Sequence, residues 1–450
     1  MRTSNTFNNV QKDINVVEKS IQTKHTIDRI KNERNETVTD SEEIRDVFQN
    51  FYKTLYQKQD IDTIIVDNYT KYAKPVSDTQ KQQLETEFTL KDIETAIAQL
   101  NDNKAPGPDG ITAEFYKTFS HLLCPILLDL TKNIYEDNDL TETQKVSYIT
   151  LIPKTCNKST DPKNYRPISL LNFDYKIIAK ILTNKLKPNL NTLINEEQTC
   201  SIEGRTIEDH THFLRDFISY NKSKNNNAIF LSIDQEKAFD RVDHTYIHKT
   251  LEACNMGEYF TRWVKILYRN PSSCVLVNHQ ISEQFPIERS VRQGCPLSAT
   301  LYIIGLENLL ESIRRDPTIE GTPLPGTPPK KVIAYADDTT FFPKNVASIQ
   351  LIIDRFKHFG QASGAKINNK KSKALLLCQS NETPPPIDDI EWVKEITILG
   401  IPYRYENQPK DHVWKGKIHS IRQKIELYNH LNTTIFDRAK LANTYLIPKI

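Results

Sequence analysis

The chain has 450 residues, 38% of them hydrophobic, so it can bury a sizeable core in two or three structural units, and disorder throughout is excluded. Lys and Arg number 59 against 57 Asp and Glu, a formal net charge of +2, so any electrostatic argument has to be local. Cys124, Cys156, Cys200, Cys254, Cys274, Cys295 and Cys378 form no C-x-x-C pair and no Cys/His cluster at zinc spacing, and read as reduced structural thiols. The opening MRTSNTFNNVQKDINVVEKS lacks the apolar core of a signal peptide, and no stretch reaches about 18 consecutive apolar residues. The expectation is a soluble, intracellular protein with no membrane partner. Lys370, Lys371 and Lys373 are too short a run to decide between nucleus and cytoplasm.

In chain order, the first forty residues are polar and read as a helical or partly ordered lead-in. Ile44, Val47, Phe48, Phe51 and Leu55 recur at helical spacing from Ser41 onward. A second helix carries Leu90, Ile93, Ile97 and Leu100, with Thr89 placed to cap it and Asp92 three residues later. Lys104 to Ile111, KAPGPDGI, excludes regular structure through its prolines and glycines. Tyr148 to Ile152 and Tyr165 to Leu171 read as paired strands that bring Lys154 and Arg166 towards each other. An amphipathic helix follows over Ile177 to Leu190. From Lys145 to Leu190 the basic residues Lys145, Lys154, Lys158, Lys163, Arg166, Lys176, Lys180, Lys185 and Lys187 face only Asp161 and Asp174. Taken alone, such a run reads as a solvated surface; its functional alternative is an RNA-binding face.

The strand Ala228 to Ile233 ends at Asp234, and Asp243 is placed to cap a helix running towards Ala253. Ser273 to Ile287 alternates like a hairpin, and Arg292-Gln293-Gly294-Cys295-Pro296 breaks it before a long helix through Leu310. Thr322 to Pro329 reads as a loop. Lys331 to Phe342 is apolar, then an acidic pair, then apolar, which describes a hairpin with Asp337 and Asp338 at its tip. A helix over Ile349 to Phe359 precedes a short hairpin ending at Leu399-Gly400-Ile401, and a stripe of Trp414, Ile418, Ile421, Ile425 and Leu431 predicts a final helix.

Adjacent aspartates at a hairpin tip repel each other unless a cation neutralises them. With Asp234 from a neighbouring strand, three hard oxygen donors could hold two Mg²⁺ ions and leave positions for water and substrate phosphates. Taken singly, Asp337-Asp338 could equally be an exposed turn, and Asp234 a helix cap. Asp240 and Asp243 read as turn and capping residues.

These segments resemble, in order, the reverse transcriptases of non-LTR (LINE-type) retrotransposons. The resemblance spans Phe88 to Tyr403 and rests on KAPGPDGITAEFYK (Lys104 to Lys117), LIPK (Leu151 to Lys154), NYRPISLL (Asn164 to Leu171), SIDQEKAFDRVDH (Ser232 to His244), RQGCPLSATLY (Arg292 to Tyr302), YADD (Tyr335 to Asp338), SGAKINNKKS (Ser363 to Ser372) and LGI (Leu399 to Ile401). FQNFYKTLY (Phe48 to Tyr56) is similar to the segment that precedes the polymerase in these elements. The resemblance implies an α/β (α+β) right-hand polymerase: a helical extension over residues 1–130, fingers and palm over 134–405 with the catalytic strands within 226–345, and a partial thumb over 406–450. It implies Asp234, Asp337 and Asp338 as ligands of two Mg²⁺ ions, with an RNA template, a DNA primer and dNTPs as partners and no small-molecule cofactor.

Further roles come from the same resemblance. Lys154 and Arg166 would hold the triphosphate of the incoming nucleotide, and Phe239 would occupy the steric gate against a ribose 2′-hydroxyl. Gln293 and Gly294 would lie beside template and incoming base. Lys371, or with less support Lys366, would protonate the leaving pyrophosphate. Leu399-Gly400 would form the primer grip, and the Trp414 helix would open the thumb. The chain departs from the family pattern at Gln198 to Arg205, where Glu203 stands in place of a proline and adds negative charge near the template path. No segment resembles an endonuclease or a Cys/His knuckle, so the expectation is a partial element. Two other readings are a catalytically silent remnant that binds RNA through Lys145 to Leu190, and a group II intron maturase-like polymerase.

Overall fold

The computed structural model describes residues 26–154, 159–378, 384–387 and 390–404, with isolated helical positions between 415 and 438. The chain divides into two compact units. The first comprises Met1–Arg205, Gln235–Asp316 and Ile352–Ile367; the second comprises Thr206–Asp234, Pro317–Leu351 and Asn368–Ile450.

The lead-in is not helical where it is described. Strands β1 (Ile30–Lys31) and β2 (Thr37–Val38) pair antiparallel. Asn32 closes the turn between them by accepting from the amides of Arg34 and Glu36, while Asn35 takes the left-handed conformation that asparagine tolerates. Helix α1 (Ser41–Tyr56) is capped by Asp40, whose carboxylate accepts from the amides of Glu42 and Glu43. Its apolar spacing buries Ile44, Phe48, Tyr52 and Leu55 on one face.

Helices α2 (Thr63–Thr70), α3 (Asp78–Leu84) and α4 (Leu90–Ala98) follow, and the Thr89–Asp92 capping box forms at the start of α4 as its residues predict. Residues 104–111 are irregular. After α5 (Ala113–Thr118), α6 (Ser120–Asp137) and α7 (Glu142–Lys145), strands β3 (Val146–Pro153) and β4 (Tyr165–Leu170) form the expected hairpin. Helix α8 (Phe173–Leu186) starts four residues before its apolar stripe suggests. It tightens into a 3-10 turn, Lys187–Asn189, where Pro188 cannot donate to the preceding turn, and α9 (Leu190–Leu193) follows.

Helix α10 (Ile207–Ser223) leads into β5 (Ala228–Ile233). Helices α11 (Ala238–Arg241), α12 (His244–Ala253) and α13 (Glu258–Leu267) come next, with Asp243 capping α12 by accepting from the Tyr246 amide. Strands β6 (Ser272–Val277), β7 (Gln280–Ile281) and β8 (Phe285–Pro286) precede the long helix α14 (Ser298–Arg315). The Pro/Gly-rich stretch that reads as a loop is instead a hairpin, β9 (Thr322–Leu324) and β10 (Thr327–Lys330), turned by Gly326 at φ +68°. Strands β11 (Val332–Tyr335) and β12 (Asp338–Phe341) are followed by α15 (Val346–Ser363), β13 (Lys373–Leu377), β14 (Glu391–Trp392), β15 (Glu395–Ile398) and β16 (Ile401–Arg404). Leu399 and Gly400, both at positive φ, form the tight turn between the last two strands. Trp414 and Leu431 lie outside the described residues.

In the first unit, β6 pairs parallel with β3, which pairs antiparallel with β4, while β7 and β8 both add to β6. Helix α1 lies on this sheet. Phe48, Tyr52 and Leu55 share a core with Ile149, Tyr165, Val275 and Phe285, and the Phe48 ring meets Tyr165 edge-on at 5.2 Å.

In the second unit the sheet runs β11-β12-β5-β13-β14, with β5 central and antiparallel to both neighbours. Being central, β5 buries residues on both faces, as the apolar run Ala228 to Leu231 predicts. Phe217 from α10, Phe230, Phe342, Leu375 and Leu377 form one core, with Phe342 4.8 Å from Phe217 and 5.4 Å from Phe230 between ring centroids. Phe342→Ala should therefore cost about 3–5 kcal/mol of stability in denaturant unfolding. A loss within about 0.5 kcal/mol, typical of surface positions, would contradict this packing.

Candidate active site

The acid-bearing elements lie in the second unit. β12 pairs with β5 through Phe341 and Leu231, Thr340 and Ser232, and Thr339 and Ile233. Continuing that register by one residue sets Asp338 opposite Asp234, on the face shared by Thr340 and Ser232. The Thr339 hydroxyl also donates to the Ile233 carbonyl at 3.1 Å. Asp234 is held on its other side: its amide donates to Ser372 Oγ at 3.1 Å, and its carbonyl accepts from the Asn368 amide at 2.8 Å.

β11 and β12 join through Ala336 and Asp337, with Tyr335 paired to Asp338. Ala336 sits at φ +52°, a left-handed conformation that costs a residue with a Cβ about 1–2 kcal/mol. Asp337 is half-buried and Asp338 exposed. The observed pairing ends at Thr339 and Ile233, one residue short of Asp338 and Asp234, and Asp337 lies in the adjoining turn. Among the described residues, no three His, Cys, Asp or Glu side chains converge into a group that could hold a metal ion. The donors themselves are all carboxylate oxygens, the hard set that suits Mg²⁺. Lys371 is exposed, on the same turn whose Asn368 and Ser372 bond the Asp234 backbone.

The remaining expected site residues belong to the first unit. Ile152 pairs with Arg166, and the Lys154 amide donates to the Asn164 carbonyl at 2.9 Å, so Lys154 and Arg166 stand at the same end of the β3–β4 hairpin. Arg166 is exposed and Lys154 half-buried. Lys366 pairs with Glu236 at 3.4 Å. Phe239 is half-buried and stacks on Tyr302, with ring centroids 4.4 Å apart and planes 12° apart. The Gln293 carbonyl accepts from the Ser169 amide at 2.7 Å, and its side-chain Nε2 donates to Asp240 Oδ1 at 3.3 Å. Gly294 adopts φ +120°, and a Cβ there would lie 2.5 Å from the Ser169 carbonyl oxygen, so close approach of β4 requires glycine.

Two features differ from the sequence reading. The run from Lys145 to Leu190 is not one solvated basic face. Lys145 is buried and paired with Asp139 and Glu142, Lys185 donates to the Thr86 carbonyl, Lys187 lies 3.8 Å from Glu203, and Lys176 lies over the Phe173 ring. The acids beside Lys145 and Lys187 lie outside the run, which is why the local count overstated it.

Asp240, read as a turn residue, is 1% exposed and accepts from Tyr56 as well as Gln293. Burial pushes its carboxyl up to about 6, against the opposing pull of Lys237. Lys237 donates to the Tyr165 carbonyl at 2.8 Å, and burial brings its ammonium down to about 8. No local pattern marks Asp240, because Tyr56 and Gln293 are distant in sequence.

Comparison with known proteins shows the family to which this arrangement belongs. Residues 152–403 match the family model described as reverse transcriptase (RNA-dependent DNA polymerase). The chain is 33% identical over 374 residues to the Transposon TX1 uncharacterized 149 kDa protein of Xenopus laevis, covering 82% of this chain and 28% of that protein. It is 26% identical to the Pol polyprotein of the type-2 retrotransposable element R2DM of Drosophila melanogaster, covering 63% of this chain and 26% of that protein. It is 25% identical to the RNA-directed DNA polymerase from mobile element jockey of the same fly, covering 66% and 33% respectively. The chain belongs to the reverse transcriptase family, in its non-LTR retrotransposon class. It spans between about a quarter and a third of the length of these relatives. No described helix is long and apolar enough to cross a membrane.

The raised Asp240 carboxyl has a consequence for stability. An acid whose folded pKa lies above its unfolded value costs the native state stability as pH rises from about 4 to about 6, and the deficit persists above that range. Asp240→Asn removes this term, so the variant should gain on the wild type by up to about 3 kcal/mol between pH 4 and pH 7. Thermal melts across that range measure it; parallel curves for the two proteins would contradict the buried ionisation.

Proposed function

We propose that this chain is an RNA-directed DNA polymerase that adds dNTPs to a primer 3′-hydroxyl on an RNA template, using two Mg²⁺ ions. The observation that carries the reading is the β5–β12 pairing, whose register, continued by one residue, would bring Asp338 opposite Asp234, within a family match over residues 152–403. Asp234, Asp337 and Asp338 would hold the ions. Bound Mg²⁺ supplies Lewis acidity at the attacking and leaving oxygens of an in-line phosphoryl transfer.

The chain's own residues supply binding and orientation. Lys154 and Arg166 offset the charge of the triphosphate, and the planar guanidinium suits two phosphate oxygens at once. Phe239, held by its stack on Tyr302, presents a rigid ring against a ribose 2′-hydroxyl. Gln293 and Gly294 line the template and base, with their backbone fixed to β4. Lys371 donates a proton to the departing pyrophosphate. Residues 134–405 serve as fingers and palm, and 406–450 as the start of a thumb.

The neutralised lysines disfavour the alternative of a silent RNA-binding remnant, since the basic surface it would use is partly consumed within the fold. Primer extension on an RNA template tests the proposal. The Asp337→Ala, Asp338→Ala double variant should lose about a thousandfold or more in rate, the several kcal/mol that metal-assisted transfer supplies. Incorporation at the wild-type rate would refute it.

A further inference from the structure

Asp240 is a carboxylate buried where a neutral side chain would cost less. It lies in the single turn of α11 and is 1% exposed. Its Oδ1 accepts from Tyr56 Oη at 3.2 Å and from Gln293 Nε2 at 3.3 Å, while its Oδ2 receives no hydrogen bond from the described residues. It caps no helix, a task that falls to Asp243. Asparagine has nearly the same shape, so Asp240 differs from its isostere in its charge, which the Lys237 ammonium opposes, and in that an ionised carboxylate can only accept.

That property bears on Gln293. The two ends of a glutamine amide are nearly equal in size and opposite in hydrogen-bonding sense, so its orientation is decided by its partners. The Gln293 main chain is already locked: its carbonyl is bonded to the Ser169 amide, and the next residue packs so closely on Ser169 that only glycine fits. The freedom that remains is in the side-chain amide. An acceptor-only partner turns the NH₂ end inward and the carbonyl oxygen Oε1 away from it.

The ionisable groups facing Asp240 are Tyr52 and Tyr56 from α1, Lys154 at the end of β3, Lys237 just before α11, and Arg289. Burial raises the Asp240 carboxyl to about 6, which leaves it ionised above pH 7.

We infer that Asp240 is a positioning residue, which fixes the Gln293 amide so that it presents a hydrogen-bond acceptor to the incoming nucleotide or its template base. The inference rests on the polymerase reading and on Gln293 facing substrate.

Steady-state dNTP incorporation by the full chain at pH 8 tests it, with Asp240→Asn, Gln293→Ala and the double variant. Asp240→Asn should raise KM for dNTP about tenfold, the cost of one misdirected hydrogen bond, and leave kcat within about twofold. In the Gln293→Ala background the same substitution should change KM by less than about twofold, because the group it positions is gone. Equal penalties in both backgrounds, or no change in KM in the wild-type background, overturn the inference. A check that needs no Asp240 variant uses pH. Once protonated near pH 6, Asp240 can donate, so the wild-type KM rises from pH 8 to pH 6 while that of Gln293→Ala rises less; parallel pH curves overturn the inference. Absence of incorporation by the wild-type chain overturns the polymerase reading and the inference with it, whereas equal penalties on an active wild type overturn the inference alone.

Discussion

The antiparallel register between β5 and β12 is the constraint on which the proposed metal site depends. Side chains alternate along a strand, so a slip of one residue would carry Asp338 to the opposite face from Asp234 and abolish the shared donor set. The register is secured by burial on both faces of β5, by Phe342 packed among Phe213, Phe217 and Phe230, and by the Thr339 hydroxyl on the Ile233 carbonyl. The same sheet holds Asp234 from its other side through the 368–372 turn. An apolar core thereby fixes the strand that leads to Asp234 against the strand that begins at Asp338. The left-handed Ala336 shows where the backbone yields to make the turn.

The first unit holds rigid the groups proposed to face substrate. Lys154 and Arg166 stand on a hairpin backed by α1 through the Phe48–Tyr165 contact. Gln293 is tied to the same hairpin by its carbonyl and to α11 by its side chain. Phe239 gains rigidity from Tyr302. Each of these groups is fixed by a neighbour distant in sequence, which is the arrangement that a preorganised binding surface needs.

Much of the local structure was legible in the residues themselves. The Thr89–Asp92 box and the Asp243 cap start their helices where expected, and the apolar flanks of Asp337-Asp338 form the predicted hairpin. These features are written within a few residues of one another. What stayed hidden depends on long-range pairing. The Asp240 cluster needs Tyr56 and Gln293, and the neutralisation of Lys145 and Lys187 needs acids from outside the basic run. The hairpin from Thr322 to Lys330 was masked by its prolines, which deter a strand assignment but are tolerated in a two-stranded pair.

Divalent-ion binding reads the carboxylates without requiring primer, template or turnover. Mn²⁺, a spin-active substitute for Mg²⁺, can be titrated into the wild-type chain and into Asp234→Asn while free ion is followed by electron paramagnetic resonance. The wild type should bind Mn²⁺, and Asp234→Asn should weaken its affinity by at least about tenfold, or 1.4 kcal/mol. Equal affinity in the two proteins would contradict a shared site built on the β5–β12 register.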